Sequence, residues 1–305
     1  MFCSDFHAKK PPAKELVFVR EKCYNTSMQK DHIVKPGVFV PDMGIPYPDE
    51  PHERVLFPPQ IRDVKVDENY PFLMKSFREK LFHYLIYAGI FTIVFPLHWL
   101  RYGLKIKGRQ NLRRNRKMFK NGAITVANHV YRWDFLAVVQ AVATLGRRRI
   151  WFPALADNLN TKDALLVRSA GGIPVPRGGG MGVVRRFNEA FDVLASKKKW
   201  IHVFPEECRW NWYEPIRPFQ LGAFALAHRY NMPVIPMAIS FRPLKGWRKL
   251  LFREPLVTIS VGEPIVPNKE EKRKADTARM CGEAHSQICE MAGIIQNGWN
   301  AVSDA

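Results

Sequence analysis

What the chain lacks narrows it first. None of its five cysteines (Cys3, Cys23, Cys208, Cys281 and Cys289) stands in a Cys-x-x-Cys pair. A zinc ribbon or disulfide framework is therefore not indicated, and a reducing compartment is expected. The N-terminal stretch has no apolar run of the kind a secretory leader carries, so none is expected. There is no Gly-x-Ser-x-Gly elbow, no His-Glu-x-x-His helix, no Gly-x-Gly-x-x-Gly loop and no Walker A sequence. Those absences argue against an α/β-hydrolase, a zinc protease and a nucleotide fold. No internal repeat is evident. Acidic residues are also scarce: 28 Asp and Glu stand against 47 Lys and Arg, a net charge of +19. An excess of this size favours an anionic partner. Without a helix-turn-helix, zinc-finger or RNP motif, nucleic acid is not the partner expected.

What is present has a clear order. The 305 residues, 47% hydrophobic and 25% charged, suffice for one large α/β domain with attachments. Residues 1–70 are proline-rich without helical periodicity, and read as an extended or wrapping arm. Residues 71–104 contain "LFHYLIYAGIFTIVFPLHWL", twenty positions (81–100) with no Lys, Arg, Asp or Glu. At ~1.5 Å per residue a helix there reaches roughly 30 Å, about one hydrocarbon core. Pro96 and two histidines interrupt the run, and both flanks are basic: Lys75, Arg78 and Lys80 before, Arg101, Lys105 and Lys107 after. A single span shows asymmetric basic flanks. The reading is therefore a helix, or a bent pair, lying in the interface or dipping into one leaflet; a true span and a buried core helix are the alternatives. Residues 101–120 carry nine basic side chains and no acidic one. Beside an apolar anchor they suit an anionic membrane surface.

Between 105 and 268 short β-rich runs alternate with helical ones. Strands are expected at 123–128, 150–155, 172–176, 200–204, 233–240 and 256–262, and helices at 181–196 and 219–230. Residues 269–305 begin with a further helix. The fold class predicted is α/β: a mixed, largely buried sheet flanked by helices, with the membrane-associating helical segment in front.

Four stretches carry candidate chemistry. In "NHVYRWD", His129 and Asp134 are five positions apart, about 500° of helical rotation, so they cannot share a helix face. They can meet only if His129 occupies the strand-to-helix turn and Asp134 the first turn of the helix. Asp134 would then fix the imidazole tautomer and leave the other ring nitrogen free as a general base. An unrelated loop histidine and a dipole-favoured helix-start aspartate are the bland alternative. In "GGIPVPRGGG", Arg177 precedes glycines that let backbone approach a ligand, and could grip a phosphate. In "HVFPEECRW", Glu206 could hydrogen-bond a hydroxyl or order an arginine, and Arg209 could hold a phosphate. In "MPVIPMAIS", Pro236 interrupts an apolar strand, which implies a bulge or a bend.

Together, in order and spacing, these stretches resemble the glycerolipid acyltransferases, the 1-acylglycerol-3-phosphate acyltransferase family. "NHVYRWD" looks like its His-x-x-x-x-Asp motif, "GGIPVPR" its arginine-ending block, "FPEECR" its Phe-Pro-Glu-Gly-Thr-Arg block and "VIPMAI" its proline-containing block. The resemblance covers residues 75–265. It implies transfer of a fatty acyl group from acyl-CoA or acyl carrier protein to a lysolipid hydroxyl, with no cofactor or metal. It assigns His129 as base, Asp134 as its orienting carboxylate, and Arg177, Glu206 and Arg209 to the acceptor's polar head. Glu207 and Cys208 replace the family's Gly-Thr and become positions for acceptor specificity. An extra carboxylate beside a phosphate costs affinity unless it turns away or pairs with a base. The expected acceptor is 1-acylglycerol-3-phosphate and the expected location the cytoplasmic face of a membrane. The alternatives are another lipid acceptor, or a non-catalytic lipid-binding protein on the same fold.

Overall fold

A computed structural model describes residues 32–146, 149–176, 178 and 180–302. Nine strands are found among them: β1 (Ile33–Val34), β2 (Lys105–Lys107), β3 (Ala123–Ala127), β4 (Ile150–Leu155), β5 (Gly172–Val175), β6 (Trp200–Val203), β7 (Val234–Arg242), β8 (Leu256–Val261) and β9 (Ile294–Gln296). Seven form one sheet in the order β2-β8-β7-β3-β6-β4-β5. β7, β3, β6, β4 and β5 run parallel, while β8 pairs antiparallel with β7 and carries β2 alongside it. The sheet is therefore mixed. β3 lies at its centre, with Val126 opposite Val203 on one side and Pro236 on the other.

All five residues of β3 are buried, and their alternation explains why. Ala123 and Ala127 face one apolar layer with Leu136, Val139 and Tyr87. Ile124 and Val126 face a second layer with Phe191, Phe224 and Met280. Helices cover both faces: α1 (Phe77–Gly89), α2 (Phe95–Tyr102), α3 (Arg109–Arg114), α4 (Asp134–Val142), α5 (Ala164–Ser169), α6 (Gly180–Ser196), α7 (Gly222–Tyr230), α8 (Arg248–Leu251) and α9 (Arg273–Ala292).

The apolar segment begins with a capping box. Ser76 Oγ accepts the Glu79 N–H at 3.2 Å, and the Glu79 carboxylate accepts the Ser76 N–H at 3.0 Å. Pro96 does not break the helix. A wide π turn at Ile90–Val94 absorbs the missing N–H, and the chain stays helical from Phe77 to Tyr102. This helix is long and apolar enough to cross a membrane, yet only 22% of its most apolar window is buried. The two histidines in it turn inward. His83 Nδ1 lies 2.7 Å from the Ser169 carbonyl oxygen, and His98 Nε2 lies 3.1 Å from the Tyr131 hydroxyl. Outward stand Leu81, Phe82, Leu85, Ile93, Leu97 and Trp99.

Pro236 is accommodated by a bulge. Val234 bridges Ile265 while Met237 pairs with Val261, so three steps on β7 face four on the returning chain. β2 and the small β1–β9 ladder are additions to the expected strand set. Each is two or three residues long, too short to show alternation.

Residues 32–74 lie along the domain. Ile33 pairs with Gln296, the Ile61 and Arg62 N–H groups donate to Asn160 O, and Arg168 donates to Phe72 O at 2.9 Å. Cys3 and Cys23 lie outside the described residues.

Candidate active site

β3 ends at Ala127, and the next three residues build the site. Asn128 is buried and acts as a side-chain extension of the sheet. Its Nδ2 donates to Ile239 O at 2.9 Å, and its Oδ1 accepts the Ile239 N–H at 2.8 Å. One amide thus satisfies two β7 backbone groups past the end of the strand pair. That clamp fixes where the chain leaves the sheet, and His129 is the next residue out.

His129 sits in the turn and Asp134 opens α4, the arrangement their spacing requires. His129 Nδ1 is 2.5 Å from Asp134 Oδ2. Asp134 is 2% exposed, and its oxygens also accept backbone N–H groups: Val130 at 3.2 Å, Tyr131 at 3.5 Å and Phe135 at 2.9 Å. A carboxylate held this way is immobile. In the tautomer with the proton on Nδ1, that nitrogen donates to Asp134 and the Nε2 lone pair is left free. The imidazole lies flat on Phe204, with ring centroids 4.0 Å apart and planes 12° apart. Phe204 shields one ring face from water.

Beneath Phe204 lies His202, fully buried, with Nδ1 2.9 Å from the Thr125 hydroxyl. Burial pushes its pKa down to about 3, and positive charge on His129 pushes the same way. His202 is therefore neutral and does not compete as a base.

Glu206 orders an arginine, one of the two roles its position offered. It is fully buried and its oxygens are taken up by the protein. Oε2 accepts the His129 N–H at 2.8 Å and Arg217 Nη2 at 3.0 Å; Oε1 accepts the Arg217 N–H at 2.9 Å. Its observed role is to fasten the backbone of His129 to a buried arginine. Arg217 donates onward to Pro51 O at 2.7 Å and to Cys208 O, and its guanidinium lies 4.4 Å from the Trp210 ring centroid. The loop following β6 is tied to the His129 turn a second time, by Trp210 N–H to His129 O (3.1 Å) and Trp212 N–H to Val130 O (2.6 Å).

Arg209 remains as a cation within electrostatic reach of Asp134. It is half-buried, and its Nε has no hydrogen-bond partner among the described residues. Burial pulls its pKa below the ordinary arginine value; the Asp134 carboxylate opposes this and Arg132 adds to it. A guanidinium keeps its charge through such a shift, so a charged side chain with one buried, unpartnered N–H lies within electrostatic reach of Asp134.

Glu207 is exposed and adopts φ 63°, the left-handed region. The glycine found there in the family block adopts that conformation without strain. The Glu207 carboxylate enters no ion pair among the described residues and turns to solvent. Cys208 faces the arm, its Sγ 3.3 Å from His52 O. Arg177 lies outside the described residues; Pro176, just before it, follows the edge strand β5.

Asn128, Phe204, Arg217 and the arm residues Tyr47, Pro51 and His52 had no role in the sequence reading. Arg217 left one trace, a single basic residue inside "EPIRPFQLGAFALA". The arm left none: Pro51, His52 and Glu53 contribute backbone carbonyls, and the Tyr47 hydroxyl donates to Asn211 O at 2.7 Å from a stretch without periodicity.

Residues 103–240 match the family model described as Acyltransferase. Among solved structures, the chain is similar to the 1-acyl-sn-glycerophosphate (LPA) acyltransferase PlsC from Thermotoga maritima. The two are 22% identical with a TM-score of 0.41, over 68% of this chain and 82% of that one. No curated protein matches.

Proposed function

We propose that the chain moves a fatty acyl group from an acyl thioester to the hydroxyl of a lysolipid, with 1-acylglycerol-3-phosphate as first-choice acceptor. The 2.5 Å contact between His129 Nδ1 and the buried Asp134 carries this reading. His129 Nε2 takes the hydroxyl proton while the oxygen attacks the thioester carbonyl, forming the C–O bond. The tetrahedral intermediate collapses, the C–S bond breaks, and the leaving thiolate receives the proton from the imidazolium. Asp134 stabilises that imidazolium. Arg209 meets the acceptor phosphate, with Arg177 as its expected partner. Coenzyme A and acyl carrier protein are both donors to be tested, and no step requires a metal or cofactor.

The exposed apolar face of α1 and α2, extended by Leu250 and Leu251 of α8, rests on the membrane. With the basic 101–120 segment beside it, this supports an anionic bilayer surface as partner, on the cytoplasmic face. His98 joins that helix to Tyr131 of the catalytic turn, so a lysolipid lying in the leaflet is presented near His129.

His129→Ala tests the reading. Transfer measured with labelled acyl donors and a lysolipid panel should fall at least a hundredfold, since a general base contributes ~10² to 10⁴. Vesicle binding should be unaffected. Transfer at the wild-type rate would refute the assignment.

A further inference from the structure

A second basic site lies away from His129. Lys80, Arg149, Lys197, Lys198 and Lys199 line one cavity of about 470 Å³, with no carboxylate in its wall. That volume is in the ~300–1,000 Å³ range of small-molecule sites. None of the five cations makes an ion pair with a described carboxylate. The cavity opens where β4 and β6 begin, at the paired residues Ile150 and Trp200. His129 follows the opposite ends of the strands. Six residues of extended chain separate Ala123, opposite Trp200, from His129, or about 20 Å.

Three of the lysines have a simpler explanation taken alone. They end α6, where cations suit the helix dipole and Lys198 adopts the left-handed cap at φ 54°. That account does not bring in Lys80 from α1 or Arg149 from the mouth of β4. Arg149 is held over the Tyr84 ring at 4.0 Å from its centroid, with Nη2 3.3 Å from the Tyr84 hydroxyl. Trp151 closes the floor, stacked on His83 at 5.3 Å. Three separate elements thus converge their cations on one hollow.

The hollow borders the apolar face. Phe77, Leu81, Phe82 and Leu85 are exposed on α1, the same helix that supplies Lys80 and Tyr84. A ligand here meets phosphate-binding groups on one side and hydrocarbon-binding groups on the other. We propose that this pocket holds the phosphate of an anionic phospholipid that is not the reacting substrate, with its acyl chains along α1. The protein would then grip the bilayer at both ends of its apolar helix. His83 and His98 are fifteen residues apart, roughly 22 Å along the axis. The positive field is felt locally: burial first, then Arg149 and Lys199, hold His83 below the ordinary histidine range against the opposing Ser169 carbonyl.

This inference rests on the membrane reading above, and the experiment separates the two. The full chain is sedimented with phosphatidylcholine vesicles, and with vesicles containing phosphatidic acid as a minor component. Binding to phosphatidylcholine alone tests the helix; the gain on adding phosphatidic acid tests the pocket. Lys80→Gln/Lys197→Gln/Lys198→Gln is compared with Lys272→Gln/Arg273→Gln/Lys274→Gln, which removes equal charge from an exposed patch at the start of α9. At roughly fivefold per basic residue, the pocket variant should lose on the order of a hundredfold on anionic vesicles and nothing on neutral ones. The α9 variant should lose far less. Its acyl transfer in detergent, and that of the pocket variant, should match wild type. Equal losses by the two variants would reduce the pocket to bulk charge and overturn the proposal. A raised KM for a soluble acyl donor in the pocket variant would assign the cavity to the donor instead. Displacement from anionic vesicles by inorganic phosphate, at unchanged ionic strength, would make it a free-anion site. Either result also overturns the proposal.

Discussion

Asp134→Asn isolates what the carboxylate contributes, because the structure fixes which way the amide must turn. With the amide oxygen in the Oδ2 position it still accepts His129 Nδ1–H and the Val130 and Tyr131 N–H groups. The NH₂ then faces the Phe135 N–H, which sat 2.9 Å from Oδ1. The opposite flip satisfies Phe135 but sets NH₂ against two backbone donors and forces the other imidazole tautomer. Three contacts outweigh one, so the first orientation holds and the tautomer is kept. What disappears is the charge facing the imidazolium. A unit pair ~4 Å apart at an effective dielectric near 20 is worth about 4 kcal/mol, or roughly 10³ in rate. The expected loss in kcat is therefore 10²- to 10³-fold, short of the ~10⁴ that a wrong tautomer costs. The orphaned Phe135 N–H should also lower stability by about 1–3 kcal/mol. Steady-state acyl transfer and urea denaturation measure the two effects. Activity within threefold of wild type would refute the orienting role. A loss confined to KM would mean that Asp134 binds substrate rather than supporting the base.

Glu206→Ala should cost about 3–5 kcal/mol, since it strands the guanidinium of a fully buried pair. Urea denaturation checks this, and acyl transfer should fall with it because the His129 N–H loses its anchor. Glu207→Gly should stabilise the fold by about 0.5–1 kcal/mol: left-handed strain of ~1–2 kcal/mol is relieved and partly offset by glycine's greater chain entropy. Thermal melting reads this, and transfer to 1-acylglycerol-3-phosphate should not change. His202 makes stability fall on acidification. Its ordinary value is 6.5 and its folded value about 3, so between those pH values the unfolded chain binds the proton and the folded chain does not. The penalty is absent above pH 6.5, grows by up to 1.36 kcal/mol per pH unit below it, and levels off near pH 3. From pH 7 to 5 the loss is about 2 kcal/mol. His202→Gln should flatten that part of a denaturation series.

Much of this was legible because it depended on local chemistry. β3, β4, β5, β6, β7 and β8 announced themselves as apolar runs bounded by turns, and the His129–Asp134 spacing dictated a strand-to-helix turn. Glu206 was left between two readings, a ligand hydroxyl or an arginine, because sequence shows a charge but not its direction. A carboxylate after a strand looks the same whether it faces a ligand or, as here, Arg217 eleven residues on. The arm's contribution was hidden for another reason. Its main contacts use carbonyl oxygens of Pro51, His52 and Glu53, which every residue type supplies. Pro96 marked an interruption correctly, but a π turn and a kink have the same sequence signal.

The arm's attachments also govern when the His129 turn can become rigid. Pro51 receives Arg217 across 166 positions, and Glu53 receives Trp210 across 157. Ile33 pairs with Gln296, farther away still. Closing loops of this length before their contacts form makes them slow steps. During synthesis the arm leaves the ribosome early and must wait, extended, for partners made far later. The sheet and the histidine turn can assemble first; the arginine that braces Glu206 is locked only afterwards, by the earliest-made part of the fold. The His129 turn is thus braced late in folding, once residues 33–53 have met partners between 210 and 296.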